Sequence, residues 1–165
     1  MQNPRILANG EYAIVCHEHD GFVFRHPIED DSRRPKAVYS LFSGVQPTSN
    51  WKVDKTDKGL YVLTAKNAPA GYWVQKGKAS VFAFPDGPVS EDARPVDWDI
   101  KEVLTTEDRN GYIIATKLPD GTEVGWSLQD VEPSQFGLPI SVQPLRTTKS
   151  NPPRYLPSEV FDFGN

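Results

Sequence analysis

The sequence predicts an all-β protein with the β-trefoil fold, a six-stranded barrel capped by three hairpins. Its apolar residues come in short alternating bursts separated by Gly, Pro, Asn and Asp, which is typical of strands, and helical periodicity is nearly absent. The bursts also recur three times at a period near 50 residues. One such unit cannot bury an apolar face, but three copies around an axis close a barrel without exposed edges.

Each pseudo-repeat opens with a strand that carries a tyrosine. GEYAIV in the first repeat returns as GLYVLT and, one residue shorter, as GYIIAT, so that Tyr12, Tyr61 and Tyr112 are spaced by 49 and 51 residues. Each repeat closes with an aromatic residue, one further residue and a second apolar or aromatic residue, in the segments WKV, WDI and FDF. We expect these aromatics to lie in the core and its lid, because each buries a large area.

About four strands fall in each pseudo-repeat, which makes twelve in total. The expected pseudo-repeats cover about 10–57, 58–108 and 109–165 of a single domain, 1–165. The predicted strands are 11–16, 22–26, 36–41 and 50–54 in the first repeat, 59–65, 72–76, 79–84 and 97–102 in the second, and 111–116, 123–127, 139–145 and 160–163 in the third. The third repeat is stretched by an insertion at 146–159, which either forms a lid or adds a binding loop.

Composition narrows the classes of partner. A formal net charge of −4 without a long block of like charges argues against nucleic-acid binding. The chain has no apolar run of membrane length and no secretory segment at its start. Its single cysteine, Cys16, cannot form an internal disulfide. A monomeric cytosolic protein is expected, although a mature chain that has lost its signal fits the same facts.

Residues with catalytic or ligating chemistry do not form a recognisable set. A nucleophile elbow, a P-loop and a dinucleotide fingerprint are all absent from the sequence. The carboxylate pairs Asp97/Asp99 and Asp130/Glu132 are typical of a solvated strand face. The sequence therefore indicates a protein that is not an enzyme.

The segment CHEH, residues 16–19, is the one cluster of metal-ligand types. A structural zinc site needs four ligands around one point, and the third histidine, His26, stands apart. We expect a polar hairpin end there, with no metal and no cofactor.

A threefold β fold also raises the possibility that the protein is a sugar-binding lectin, but the Q-x-W motif of ricin-type trefoils is absent from the sequence. A lectin of another type stays as an alternative.

The chain resembles the fungal β-trefoil protease inhibitors, namely the mycocypins (clitocypin and macrocypin) and, more loosely, cospin and the cocaprins. The segments that carry the resemblance are NGEY, which opens the first strand, RRPKA, which leads into the third, NW at the close of the repeat, and KNAPAGYWV after the fifth strand. The resemblance implies a protein that binds proteases through surface loops, with cysteine proteases as the first expectation.

In the mycocypins, the loop between the fifth and sixth strands inhibits legumain, an asparagine-specific cysteine protease. The matching residue here is Asn67, followed by Ala68 and Pro69. An asparagine that only forms a turn is the alternative. In the same family, papain-like proteases are blocked by the first-to-second and third-to-fourth strand loops. The corresponding segments are 17–21 and 42–50.

The candidate papain-type residues are Gly21, Phe42, Gly44 and Val45, unless the second segment is merely a loop with an apolar anchor. In cospin-like inhibitors, an arginine between the second and third strands enters the trypsin pocket. Arg25 and Arg33 are the candidates here, because Arg34 precedes a proline. Relatives also inhibit pepsin-like proteases, through a loop whose equivalent the sequence does not reveal.

Overall fold

A computed structural model describes residues 6–164, so the first five residues and the last residue of the expected domain lie outside the described part. The described residues form fifteen strands and one short 3₁₀ helix, Pro157–Glu159. The strands are β1 Gly10–Cys16, β2 Val23–Arg25, β3 Lys36–Leu41, β4 Trp51–Lys55, β5 Tyr61–Ala65, β6 Ala68–Gln75, β7 Lys78–Ala83, β8 Ala93–Pro95, β9 Asp99–Thr105, β10 Asn110–Lys117, β11 Glu123–Ser127, β12 Gly137–Pro139, β13 Ser141–Gln143, β14 Arg154–Tyr155 and β15 Phe161–Gly164. Within 6–164, no helix has the length and apolarity to cross a membrane.

Six strands close the barrel. Antiparallel pairing runs from β1 to β4 and from β4 to β5, and again from β9 to β10, from β10 to β15 and from β15 back to β1. The ring closes between β5 and β9 at a bridge in which Tyr61 and Trp98 exchange two backbone hydrogen bonds of 2.7 Å. This arrangement confirms the predicted β-trefoil.

Three hairpins cap the barrel and pair with one another. The hairpins are β2–β3, β6–β7 and β11–β13. Strand β7 connects the three hairpins, because it pairs with β3 of the first and with β13 of the third. Ile140 interrupts the strand that was predicted at 139–145, because its N–H donates to Val38 and its carbonyl accepts from Val81, at 3.2 and 2.9 Å. The predicted strand is therefore divided into β12, which pairs with β3, and β13, which pairs with β11.

The start of β6 differs from the prediction. The predicted strand begins at residue 72, but β6 begins at Ala68 and pairs with β5 directly after a two-residue turn. Lys66 and Asn67 form that turn with φ values of 51° and 65°, the pattern of a type I′ hairpin. Pro69 fits in the strand because its pair with Thr64 lies one step beyond the pair that flanks the turn, where no ladder N–H is needed. Strands β8 and β14 were not predicted.

The closing aromatics of the three repeats meet in the core. Trp51, Trp98 and Phe161 are buried and surround the indole of Trp126, with ring centroids 5.7, 5.6 and 5.8 Å from it. Edge and tilted contacts of this kind are favourable for aromatic rings. The closing residues of each repeat therefore build the core, as the sequence predicts.

The insertion at 146–159 is folded against the end of the second repeat. Its strand β14 pairs in parallel with β9, and the 3₁₀ helix follows. The buried carboxylate of Glu159 accepts hydrogen bonds from the backbone N–H groups of Arg146 and Leu156. Burial raises the pKa of Glu159 above its ordinary value. Glu159 therefore ties Arg146, at the start of the insertion, to Leu156 near its end.

Candidate functional site

The β5–β6 turn presents Asn67 at its tip. Lys66 and Asn67 are exposed, whereas the flanking pair, Ala65 and Ala68, is fully buried and Pro69 is half-buried. Of the three residues predicted for legumain-type inhibition, Asn67 is exposed, Ala68 is buried and Pro69 is partly exposed. The turn is short because both of its residues adopt the left-handed conformation, which asparagine tolerates better than most residues.

A buried arginine lies beneath this turn. The guanidinium of Arg25 donates to the carbonyl of Ala65 at 2.9 Å and to that of Lys66 at 3.5 Å. It also donates through Nε to the carboxylate of Glu29 at 3.2 Å and makes a second bond to the same carboxylate through Nη2. With its guanidinium engaged on two sides, Arg25 is 6% exposed.

The two arginines predicted for trypsin-type inhibition therefore differ. Arg25 can enter a protease pocket only if its bonds to Glu29 and Ala65 break, and the loss of these partly buried charge-assisted bonds is costly. Arg33 lies exposed in the β2–β3 loop, where it pairs with Asp86 and donates to the carbonyl of Pro85 at 2.9 Å. Of these two arginines, only Arg33 is accessible to a protease.

The β2–β3 loop has its own internal support. The carboxylate of Asp30 accepts hydrogen bonds from Lys36 Nζ and from the backbone N–H of Ser32. The bond from the lysine, followed by the bonds from Ser32, lowers the pKa of Asp30 below its usual range. Lys36 itself is buried along its stem at the start of β3. The loop is ordered on both sides of Arg33.

The β1–β2 and β3–β4 loops lie side by side. The backbone N–H of Leu41 donates to the carbonyl of Phe22 at 2.8 Å, which ties the start of one loop to the end of the other. A Cβ atom at Gly21 would overlap the carbonyl oxygen of Leu41, so this close approach requires glycine. We refer to the two segments, 17–21 and 42–50, as the paired loops.

Within the second of the paired loops, Phe42 is the exposed aromatic. Its side chain is 40% exposed, and its carbonyl accepts a hydrogen bond from the N–H of Val45 at 3.1 Å. Gly44 lies at φ +90° with open space around it, and Val45 packs against the core. Phe42 and Gly44 thus face solvent, while Val45 anchors the loop.

The CHEH segment does not converge on one point. The buried ring of His17 contacts Asp162, with Nε2 2.8 Å from Oδ1, whereas the ring of His19 contacts Ser40. Burial raises the pKa of the Cys16 thiol to about 12, which makes the thiol unreactive. Within residues 6–164, no group of three or more His, Cys, Asp and Glu side chains could hold a metal ion.

One member of each carboxylate pair lies beside a basic side chain. Asp99 is 3.1 Å from Lys101, and Asp130 is 3.5 Å from Arg146. Asp97 and Asp99 line an open groove of about 750 Å³ between the second and third repeats. None of the residues predicted for protease inhibition lines this groove.

Comparison with known proteins assigns the family. The chain is similar over 96% of its length, and over 99% of the other chain, to the structure of a proteinase inhibitor from Coprinopsis cinerea, at 27% identity and a TM-score of 0.70. The Rhizoctonia solani agglutinin (16% identity, TM-score 0.62, covering 99% of each chain) and the designed threefold-symmetric protein ThreeFoil (11% identity, TM-score 0.57, covering 93% of this chain and 97% of that one) share the fold alone.

No curated protein sequence matches the chain. Residues 5–165 match the family model described as peptidase inhibitor I66. The match spans nearly the whole chain, including every loop described above. The chain therefore belongs to the peptidase inhibitor I66 family and is a protease inhibitor rather than an enzyme.

Proposed function

We propose that the protein inhibits papain-like cysteine proteases by inserting the paired loops into the active-site cleft. The observation that supports this proposal is the close approach of Gly21 to Leu41, which holds the bases of the two loops side by side on one edge. Phe42 supplies an exposed aromatic surface on that edge. Large aromatic side chains that enter a pocket often dominate the binding energy of an interface.

The proposal is tested by inhibition of papain with the wild type and with Phe42→Ala. We expect the inhibition constant to rise roughly tenfold to hundredfold, as for the loss of a binding hot spot. Ile28→Ala is the matched control, because Ile28 is a large apolar residue that is 78% exposed on a different loop. Equal inhibition by the wild type and Phe42→Ala would contradict the proposal.

A second cysteine protease class is proposed for the β5–β6 turn. Asn67 would place its carboxamide in the specificity pocket of an asparagine-specific, legumain-type protease. The supporting observation is that Asn67 is exposed on a turn held by the buried Arg25. Since Ala68 is buried and paired in β6, the turn offers a side chain rather than an extended, cleavable segment.

Asn67→Ala tests this second role. A pocket built to hydrogen-bond a carboxamide leaves buried polar groups unpaired when the carboxamide is absent, so inhibition should fall by roughly a hundredfold or more. Inhibition of papain should survive. Asn67→Gly is the control for geometry, because glycine keeps the positive φ without a carboxamide. Undiminished inhibition by both variants would rule out the role of Asn67.

A trypsin-like serine protease is the competing target. Arg33 is exposed in a loop that the bonds of Asp30 to Lys36 and Ser32 hold, and the similar Coprinopsis cinerea protein is a proteinase inhibitor. If trypsin is the target, Arg33→Ala should abolish its inhibition, whereas Arg34→Ala should preserve it because Arg34 precedes a proline. Inhibition of trypsin that survives Arg33→Ala would exclude Arg33 as the reactive residue.

The monomeric state and the cytosolic location stay predictions, to be checked by light scattering and cell fractionation.

A further inference from the structure

The turn that carries Asn67 depends on a charged cluster supplied by another part of the chain. Arg25, at the end of β2, reaches two successive carbonyls of the β5–β6 hairpin, those of Ala65 and Lys66. Backbone carbonyls at a tight turn need partners when they are buried, and a guanidinium satisfies them with charge-assisted bonds. Residues forty positions apart in sequence are thereby joined beneath Asn67.

Glu29 completes this cluster from the β2–β3 loop. Its carboxylate, 16% exposed, receives two bonds from Arg25 and lies 3.6 Å from the ammonium group of Lys66. The planar fork of an arginine can serve a carboxylate and two carbonyls at once, which a lysine cannot. Glu29 therefore holds Arg25, and Arg25 in turn holds the carbonyls of the exposed turn.

We infer that Arg25, held by Glu29, is the positioning residue that sets the orientation of Asn67 for recognition by an asparagine-reading pocket. The inference rests on the role proposed above for Asn67. Both turn residues adopt positive φ values of 51° and 65°, a conformation that is unfavourable for most residues with a side chain and that asparagine tolerates better than lysine. Support from Arg25 keeps this conformation populated before binding, so that less conformational entropy is lost when a protease docks.

Glu29→Gln is the principal test, because it keeps the shape of the side chain and removes the charge that holds Arg25. Arg25→Lys is the second variant, since it keeps the charge and loses the fork. Arg146→Gln is the matched control: it removes an exposed arginine–carboxylate pair of the third repeat, the pair with Asp130. Hydrogen exchange is measured at the amides of Ala65 and Ala68, which flank the turn, and at that of Ile114 in the barrel.

In Glu29→Gln and in Arg25→Lys, the amide hydrogens that flank the turn should exchange roughly tenfold faster than in the wild type, with exchange at Ile114 unchanged. The inhibition constant for an asparagine-specific cysteine protease should rise roughly tenfold to hundredfold, while that for papain stays constant. Arg146→Gln should leave the turn exchange and both of these constants unchanged. This selective pattern cannot come from a general loss of folding, which would accelerate exchange at Ile114 as well.

Three results would overturn the inference: unchanged exchange at the turn, equal acceleration at Ile114, or faster turn exchange with unchanged inhibition of the asparagine-specific protease. If the wild type does not inhibit that protease at all, the proposed role of Asn67 fails, and with it the functional part of the inference. The exchange data then still decide whether Arg25 holds the turn. The two failures are thus separated.

Discussion

The β5–β6 turn and the β3–β4 loop are exposed connections of the same barrel, but they are held in different ways. The turn has two residues, and the buried guanidinium of Arg25 supports its carbonyls from below. The β3–β4 loop, 42–50, is longer and contains an open glycine at Gly44, with Val45 as its apolar anchor. It is positioned at its base, where Gly21 packs against Leu41.

This difference separates two ways to recognise a protease. A short, fixed turn can present one polar group in one orientation, which suits a pocket that reads hydrogen bonds. A longer loop anchored at its base can present an aromatic surface that fits a cleft by shape. The contrast predicts that changes at the base of the paired loops and changes at the turn have independent effects.

The largest effect is expected for Gly21→Ala, which pushes the paired loops apart. Its Cβ would overlap the Leu41 carbonyl, so we expect a loss of about 1–3 kcal/mol in the free energy of unfolding. Papain inhibition should weaken while the turn is unaffected. Gly164→Ala is the control, since no atom lies near its added Cβ. Denaturant unfolding measures both, and equal stability of the two variants would contradict the close packing at Gly21.

The turn should respond to backbone changes more than the loop does. Asn67→Ala is expected to lower the free energy of unfolding by about 1 kcal/mol, because alanine resists the φ of 65°. Asn67→Gly should be nearly neutral. In the loop, the exposed Ser43→Ala should change stability by less than about 0.5 kcal/mol. Denaturant unfolding of the three variants measures these differences, and a neutral Asn67→Ala would mean that the turn is not strained in this way.

A smaller effect concerns pH and the β2–β3 loop that supports the turn. Because the bond from Lys36 lowers the pKa of Asp30, the carboxylate stabilises the fold above its ordinary pKa of about 3.9. That stability is lost as the pH falls through the lower folded pKa. Urea unfolding from pH 5 down to acid should therefore show a shallower pH dependence in Asp30→Asn than in the wild type. Superimposable curves would show that the pair contributes nothing.

The smallest effect is expected at Cys16, at the base of the first paired loop. Its thiol is buried and its pKa is raised to about 12, so the thiolate needed for alkylation is scarce. The native protein should resist an alkylating reagent at pH 8, and the denatured chain should react readily. Gly21→Ala should react faster than the wild type if it opens the base of the paired loops. Fast alkylation of the native wild type would contradict the packing described.

The repeat pattern carried most of the information about the fold. The tyrosine-bearing strands and the closing aromatics recur because each repeat contributes the same contacts to one core, as Trp51, Trp98 and Phe161 show. The beginning of β6 was missed because Pro69 and Gly71 are typical turn residues. The true turn is made by Lys66 and Asn67, and a proline is tolerated at a strand position that needs no ladder N–H.

The candidate site was less predictable, because it depends on contacts between distant residues. Asn67, Phe42 and Arg33 are exposed in the structure, but their exposure could only be inferred from a family resemblance. Arg25 could not be distinguished from Arg33 by sequence, since its burial depends on a carbonyl of Ala65, far along the chain. The one local signal was Glu29, four residues after Arg25, which is an ordinary spacing for a surface pair.

The most direct test of the account is a matrix of inhibition constants for Asn67→Gly and Phe42→Ala against papain and an asparagine-specific cysteine protease. The account predicts that Asn67→Gly loses inhibition of the asparagine-specific protease and keeps inhibition of papain. Phe42→Ala should show the opposite pattern. If either variant weakens both inhibitions equally, or if neither variant changes either one, the assignment of separate tasks to the turn and the paired loops is contradicted.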